Sequence, residues 1–368
     1  MTVVVSALAF LLLLSFLVLI HECGHYFAAR WTGVTVEEFG FGLPPRAKTL
    51  FRKSGTTFTL NWIPFGGFVR LHGENAVSEH ERRTSGSFAH ASIGARVLIL
   101  VAGVLMNFVF AIIIFTAGFA FWHWVPNYFT VDEIKEAAAR GEVVLQQGVR
   151  ITNVQPGGTA AKARVPFPGT LLSVNDAPVF FPTDVVDAQK EAKSVVYAIR
   201  TDAQPDTVVT VTVPVADGKT GVEIEAPALE SPRRTLPQAF LLSLRETKVT
   251  TVQTVLGVGK LFESLAWSGS IPEGIIGPVG IVRLTHDSVQ EGWLSYLRLM
   301  AVLSLSLAIF NILPFPALDG GRLVFVLVEA IRQRPAPRRF ELITNTVGFL
   351  VLIGMILLVT FNDILRLF

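Results

Sequence analysis

Four stretches of this chain are apolar over about the length a helix needs to cross a bilayer. The hydrocarbon core is about 30 Å thick and takes about 20 helical residues. Val3 to Ile20 meets that length, and its helix is expected to run on to Ala29. Val97 to Phe121, about Leu294 to Leu313, and about Ile343 to Phe361 are the other three. Composition points the same way. Hydrophobic residues make up 51% of the 368 and charged residues only 16%, where soluble domains run nearer 25%; the mean hydropathy is +0.52. The first run does not read as a signal peptide, because it lacks a basic leading segment and exceeds the usual apolar length.

Charge placement sets the expected orientation. The loop from Arg30 to Arg96 holds nine Lys/Arg, and "RQRPAPRRF" (332–340) holds four arginines. Both fall on one side of a four-span chain, which the positive-inside rule makes cytoplasmic. The N-terminus, the segment from about 122 to 293 and the C-terminal tail then lie outside. "FWHW" (121–124) resembles an aromatic belt at that outer face. The expected localisation is a membrane, multi-pass, with the lipid bilayer as a partner. A net charge of +2 is too small to suggest nucleic acid, and a single cysteine rules out an internal disulfide.

The expected fold is a polytopic α-helical membrane protein of about four transmembrane helices, with a re-entrant β element and an inserted α+β extracytoplasmic domain. Residues 1–30 form the first span, 31–96 a cytoplasmic or re-entrant β region, and 97–122 the second span. Residues 129–228 form the inserted domain and 232–292 an amphipathic juxtamembrane segment. Residues 293–331 carry the third span and 342–362 the fourth. Within 129–228, "GVRITNVQPGGTAAKARVPFPGTLLSVNDAPV" (148–179) reads as strand, turn, short helix, turn and strand. That stretch resembles a bacterial PDZ domain, although no Asp follows the glycine of "PGTLLSVNDAPV". A PDZ fold binds extended peptide by strand addition, so a peptide ligand is expected; a steric filter is the alternative. In 236–265, Phe240, Leu244, Val252, Val255, Leu256 and Phe262 share a face opposite Arg245, Lys248 and Lys260. This fits a helix on the outer membrane surface or one packed on the external domain. "FTLNWIPFGGFVRL" (58–71) is β-prone, apolar and too broken to span as helix. Such backbone at membrane depth must line a cavity or be buried in protein; an ordinary cytoplasmic hairpin is the alternative.

The first span ends in "HECGH", an H-E-x-x-H pattern. Ionisable residues inside a span are costly and default to a functional reading. On a helix, His21 and His25 share a face and can bind one zinc. Glu22 sits about 100° round from them, which suits a general base. A catalytic zinc usually takes three protein ligands. His72, His80, His90, His123 and His286 lie in loops or at the outer face. Asp319 is better placed. Pro314 and Pro316 must break the third span, and Asp319 then opens a resumed helix at a depth similar to the histidines. An aspartate there is also a good N-cap, and that reading stays open. Cys23, about 160° round the helix from either histidine, reads as a small packing residue.

The three motifs "HECGH", "GVLMN" (103–107) and "NILPFPALDG" (311–320), in that order, resemble those of the site-2 protease family, intramembrane zinc metalloproteases. The inserted PDZ-like domain resembles the bacterial branch that cleaves anti-sigma factors and signal-peptide remnants. The resemblance implies zinc on His21, His25 and Asp319, with Glu22 as catalytic base. It implies that Asn107, Asn311 and Pro314, with Gly66 and Gly67 of the β element, meet a substrate held as an added strand. An asparagine in a span also often only bonds a neighbouring helix. The implied substrates are single-pass transmembrane proteins. A zinc transporter and a catalytically inactive scaffold are the rival readings.

Overall fold

The computed structural model describes residues 2–74, 84–226, 229–272 and 274–366. Two compact units divide them, one of residues 1–118 with 236–368 and one of residues 119–235.

The first unit is built on long helices: α1 (Thr2–Thr32), α2 (Ile93–Phe121), α6 (Leu236–Trp267), α7 (Pro278–Glu291), α8 (Trp293–Ile312), α9 (Asp319–Arg332) and α10 (Arg338–Leu365). Four of them are long and apolar enough to cross a membrane: Val5–Thr32, Ile93–Phe121, Trp293–Ile312 and Arg339–Leu365. Their leucine- and isoleucine-rich flanks stay exposed, as Leu8, Leu12, Ile113, Leu350 and Leu357 show. Small residues occupy the contacts instead. With no hydrophobic drive between helices in lipid, close backbone packing holds them together. Gly24 is the tightest case, since a methyl group there would overlap the backbone carbonyl of Ala102 on α2.

Between α1 and α2 lie two long strands, β1 (Val36–Lys53) and β2 (Thr56–Leu71), paired as one sheet. The stretch 38–41 has partners on both sides, in 57–60 and in 67–70. The sheet is therefore wider than a plain hairpin. Glu38, 4% exposed, fixes it from inside. Its carboxylate accepts from Thr59 Oγ1 at 2.9 Å and pairs with Arg46 at 2.7 Å and Arg70 at 3.1 Å. A buried carboxylate without such partners would be costly. β2 follows α1 along its length: Ser15 Oγ donates to the Pro64 carbonyl at 3.2 Å, Gly67 packs on Leu19, and Leu71 packs with Ala28 and Ala29. Gly66, with φ +76°, makes the irregularity between Ile63 and Gly67, a conformation a side chain would strain.

In α6 the apolar residues named above, Phe240, Leu244, Val252, Val255, Leu256 and Phe262, are exposed. The buried face is smaller and more polar: Ala239, Leu242, Ser243, Glu246 and Thr247. It faces α8 through Arg298 and Glu246, 3.8 Å apart, so α6 goes with the helical unit.

The second unit is a six-stranded sheet of β3 (Val149–Val154), β4 (Gly169–Val174), β5 (Ala177–Pro178), β6 (Ser194–Thr201), β7 (Gln204–Pro214) and β8 (Val222–Glu225), ordered β7-β6-β4-β3-β8 with β5 on β4. Three short helices join it: α3 (Val131–Ala139), α4 (Thr159–Lys162) and α5 (Pro182–Gln189). The alternating valines of "SVVYAIRT" bury Val195, Tyr197 and Ile199 on one face, as period-two patterning requires. The Tyr197 hydroxyl meets Gln189 Nε2 at 2.6 Å and Thr220 Oγ1 at 2.9 Å, and burial pushes its phenol pKa up. Residues 227 and 228, the end of the expected external domain, lie outside the described residues.

Gly24→Leu is expected to force α1 and α2 apart and to destabilise the protein by about 1–3 kcal/mol or more. Thermal unfolding in detergent checks this; an unchanged Tm contradicts the packing described.

Candidate metal centre

His21 and His25 stand one turn apart on α1, and their rings meet edge to face, 4.7 Å between centroids. Asp319 comes to them from α9. After α8 ends at Ile312, residues 313–318 turn the chain, and α9 starts at Asp319. Ala317 takes φ +74° in that turn, and its N–H donates to Asn345 Oδ1 of α10 at 3.3 Å. The glycines of "LDGG" follow from the tightness of the turn. A side chain on Gly320 would strike the carbonyls of Ile312 and Leu313, and one on Gly321 that of Phe315. The N-cap of α9 is Leu318, without a side-chain cap bond. Asp319 does not cap its helix; its carboxylate faces the imidazoles.

Asp319 Oδ2 lies 2.9 Å from His21 Nε2 and 3.2 Å from His25 Nε2, and the two Nε2 atoms are 3.1 Å apart. Tetrahedral zinc with bonds of about 2.0–2.1 Å holds neighbouring donors about 3.3 Å apart, so this triangle is close to one face of such a site. Proton placement agrees. His25 Nδ1 is 2.8 Å from the Ile99 carbonyl, which only accepts. Nδ1 therefore carries the proton, and a neutral ring turns the Nε2 lone pair into the cluster. Three lone pairs converging at this distance call for a cation among them. Two nitrogens and a carboxylate oxygen are ordinary zinc ligands. His21 and His25 are buried, and Asp319 is half-buried.

The G-x-x-x-N spacing of α2 gains a local reason. Gly103 lies under both imidazoles: a Cβ there would sit 2.5 Å from His25 Nε2 and 2.8 Å from His21 Cε1. Asn107, one turn on, is fully buried, and its Nδ2 is 3.5 Å from His21 Nδ1.

A cavity of about 490 Å³ opens on the cluster, lined among others by His21, Glu22, His25, Asn311 and Asp319, and by Phe68 to Leu71 of β2. Glu22 is half-buried at its wall, and a Cβ on Gly67 would be 3.8 Å from Glu22 Cγ. Gly66 and Gly67 are buried in β2, Gly66 against Leu43, and neither lines the cavity. Pro314 is exposed in the turn after α8.

Among the described residues, the other histidines stand apart from the cluster. His72 bonds Glu37 at 2.7 Å and Thr84 at 2.9 Å, and His286 bonds Ser6 at 2.7 Å. His80 lies outside the described residues. Cys23 is half-buried with a free thiol. Two cavity residues escaped the sequence reading. Arg322 pairs with Glu74, and both line the cavity. That pair ties α9 to the end of β2, where Glu74 Oε2 also meets the Leu71 N–H at 3.5 Å. Arg322 stands three residues after Asp319 and so on the same face, which was the available signal.

Residues 9–355 match the model of peptidase family M50. The chain belongs to this family. Full-length relatives agree. A Clostridium perfringens protein is 30% identical over 355 residues, 96% of this chain and 97% of its own length. Proteins of Brucella suis and Rickettsia conorii are 27% and 29% identical, covering 95% and 99% of those relatives. All three carry the name "putative zinc metalloprotease". For an M50 peptidase, Gly103 becomes a critical position. Gly103→Ala is expected to displace both imidazoles and to weaken zinc binding about tenfold or more, with helical content retained. Metal analysis with circular dichroism checks this; full zinc occupancy after chelator competition counts against it.

Proposed function

We propose that the chain is an intramembrane zinc metalloendopeptidase that cleaves transmembrane segments of other membrane proteins. The observation that carries this is the placement of the cluster: an N₂O donor set with an adjacent carboxylate, on helices whose outer surfaces are apolar. The family makes the chain a zinc metalloprotease; the depth of the site makes lipid-embedded helices its natural substrates. Substrates of the anti-sigma-factor or signal-peptide-remnant kind, single-pass and already trimmed, fit best, within regulated intramembrane proteolysis in a bacterial inner membrane.

His21, His25 and Asp319 hold the metal. Bound there, zinc acts as a Lewis acid that polarises the scissile carbonyl and lowers the pKa of water toward about 7. Glu22, beside the donors on the cavity wall, takes the proton from the attacking water and passes it to the leaving amine. A helical peptide bond is shielded by its own hydrogen bonds, so the substrate must unwind first. β2 supports that step. Its 67–70 stretch pairs with 38–41 on one side, and Phe68, Val69 and Arg70 of it line the cavity, so an extended substrate adds there as a further strand. The reading of β1 and β2 as re-entrant rests on their course along α1. Pro64 is level with Ser15, six residues deeper than His21, and Trp62, Ile63 and Phe65 present exposed apolar surface there. Asn311 lines the cavity and is the candidate for holding substrate backbone or oxyanion.

The unit of residues 119–235 reads as PDZ-like. Helix α5 and edge strand β8 flank a cavity of about 560 Å³, lined by Val185, Val186, Gln189, Lys219, Val222 and Ile224. An open strand edge beside an apolar helix takes an extended peptide. As an extracytoplasmic element it limits which substrates are cut.

Glu22→Gln is expected to keep zinc and fold but to lose at least about 100-fold in cleavage of a model transmembrane substrate; cleavage at the wild-type rate sinks the mechanism. Replacing residues 129–228 with a short linker is expected to admit untrimmed substrates. Unchanged discrimination between trimmed and untrimmed substrates in that assay removes the filter.

A further inference from the structure

Asn107 is 0% exposed, and its Oδ1 is a buried acceptor without a partner. Such orphans are rare and call for a reason. The side chain does not serve the bundle: the contact between α2 and α8 at this point runs from Ser304 Oγ to the Asn107 backbone carbonyl, 3.0 Å. The polar group that the side chain meets is His21 Nδ1, 3.5 Å from Nδ2.

The chemistry of His21 dictates which amide atom belongs there. Its Nε2 points to Asp319 and His25. A neutral imidazole that gives its Nε2 lone pair to a metal carries its proton on Nδ1 and needs an acceptor for it. For His25 that acceptor is the Ile99 carbonyl. For His21 no backbone carbonyl among the described residues takes the part. Turning the Asn107 amide by 180° about χ2 brings Oδ1 to Nδ1; amide oxygen and nitrogen are assigned by their partners. One rotation gives the imidazole its acceptor and the oxygen its donor, with Nδ2 taking the position that Oδ1 held.

We propose that Asn107 is a positioning residue of the metal centre: its amide oxygen accepts the His21 Nδ1 proton and holds the ring with Nε2 toward Asp319 and His25. This rests on the reading of His21, His25 and Asp319 as zinc ligands. It separates Asn107 from Asn311, which lines the substrate cavity. It also explains the four-residue spacing in "GVLMN". Gly103 makes room for the rings, and the next residue on that face locks one of them.

The test is metal binding by purified full-length protein, with zinc in competition with a chelator and cobalt as a spectroscopic probe. Asn107→Leu, similar in volume but unable to accept, is expected to bind zinc about 10–100-fold more weakly and to alter the cobalt d–d bands. Asn107→Asp, which keeps an acceptor, is expected to restore both to near wild type. Ser304→Ala, which removes the helix contact alone, is expected to change neither. If Asn107→Leu does not fold, the smaller Asn107→Ala carries the same comparison. Wild-type affinity and spectrum in Asn107→Leu or Asn107→Ala overturn the inference while leaving the zinc site standing. Wild-type protein that binds no more zinc than His21→Ala overturns the zinc reading and the inference with it.

Discussion

Three donor atoms brought within about 3 Å of one another in an apolar bundle are the constraint that the rest of the structure serves. Left alone, two imidazoles and a carboxylate at membrane depth are expensive. Each neighbouring element reduces that cost or fixes a direction. α2 approaches closely because Gly24 and Gly103 leave room, and this brings the Ile99 carbonyl to His25. α8 stops at Ile312 and turns so that Asp319 can arrive from another helix. The Arg96 guanidinium on α2 grips Glu329 on α9 with bonds of 2.7 and 2.9 Å, a bidentate pair that holds the donor-bearing helix against the histidine pair's neighbour.

The β element solves a different problem. Its strands enclose the Glu38 carboxylate, which would be costly there without partners. Burying Glu38 among Thr59, Arg46 and Arg70 gives the sheet a rigid polar interior, while Trp62 and Phe65 face outward. Glu74 and Arg322 then tie its end to α9, so the strand and the carboxylate donor are mechanically one piece.

Local pattern carried part of this. H-E-x-x-H needs only helical spacing, so His21 and His25 were legible as a pair. The prolines of "LPFPALDG" marked a break whose position is set by backbone chemistry, and Asp319 was legible through it. What depends on distant partners was not. Gly24 looks like any small residue until Ala102 is opposite it. Glu38 reads as a surface charge until the strand register closes over it. Arg322 looks like a helix charge until Glu74 meets it. In α6 the pattern marked an apolar face, and that face is the exposed one; the smaller, more polar face that packs on α8 was not marked by it.

The break between α8 and α9 also sets the timing of biogenesis. Asp319 follows His21 by 298 residues. At about 5–20 residues per second, a ribosome spends about 15–60 s between them. For that interval the nascent chain carries the histidine pair without its carboxylate. The full donor set is thus assembled only once the turn between α8 and α9 has closed, so an unfinished chain cannot hold a metal through all three ligands.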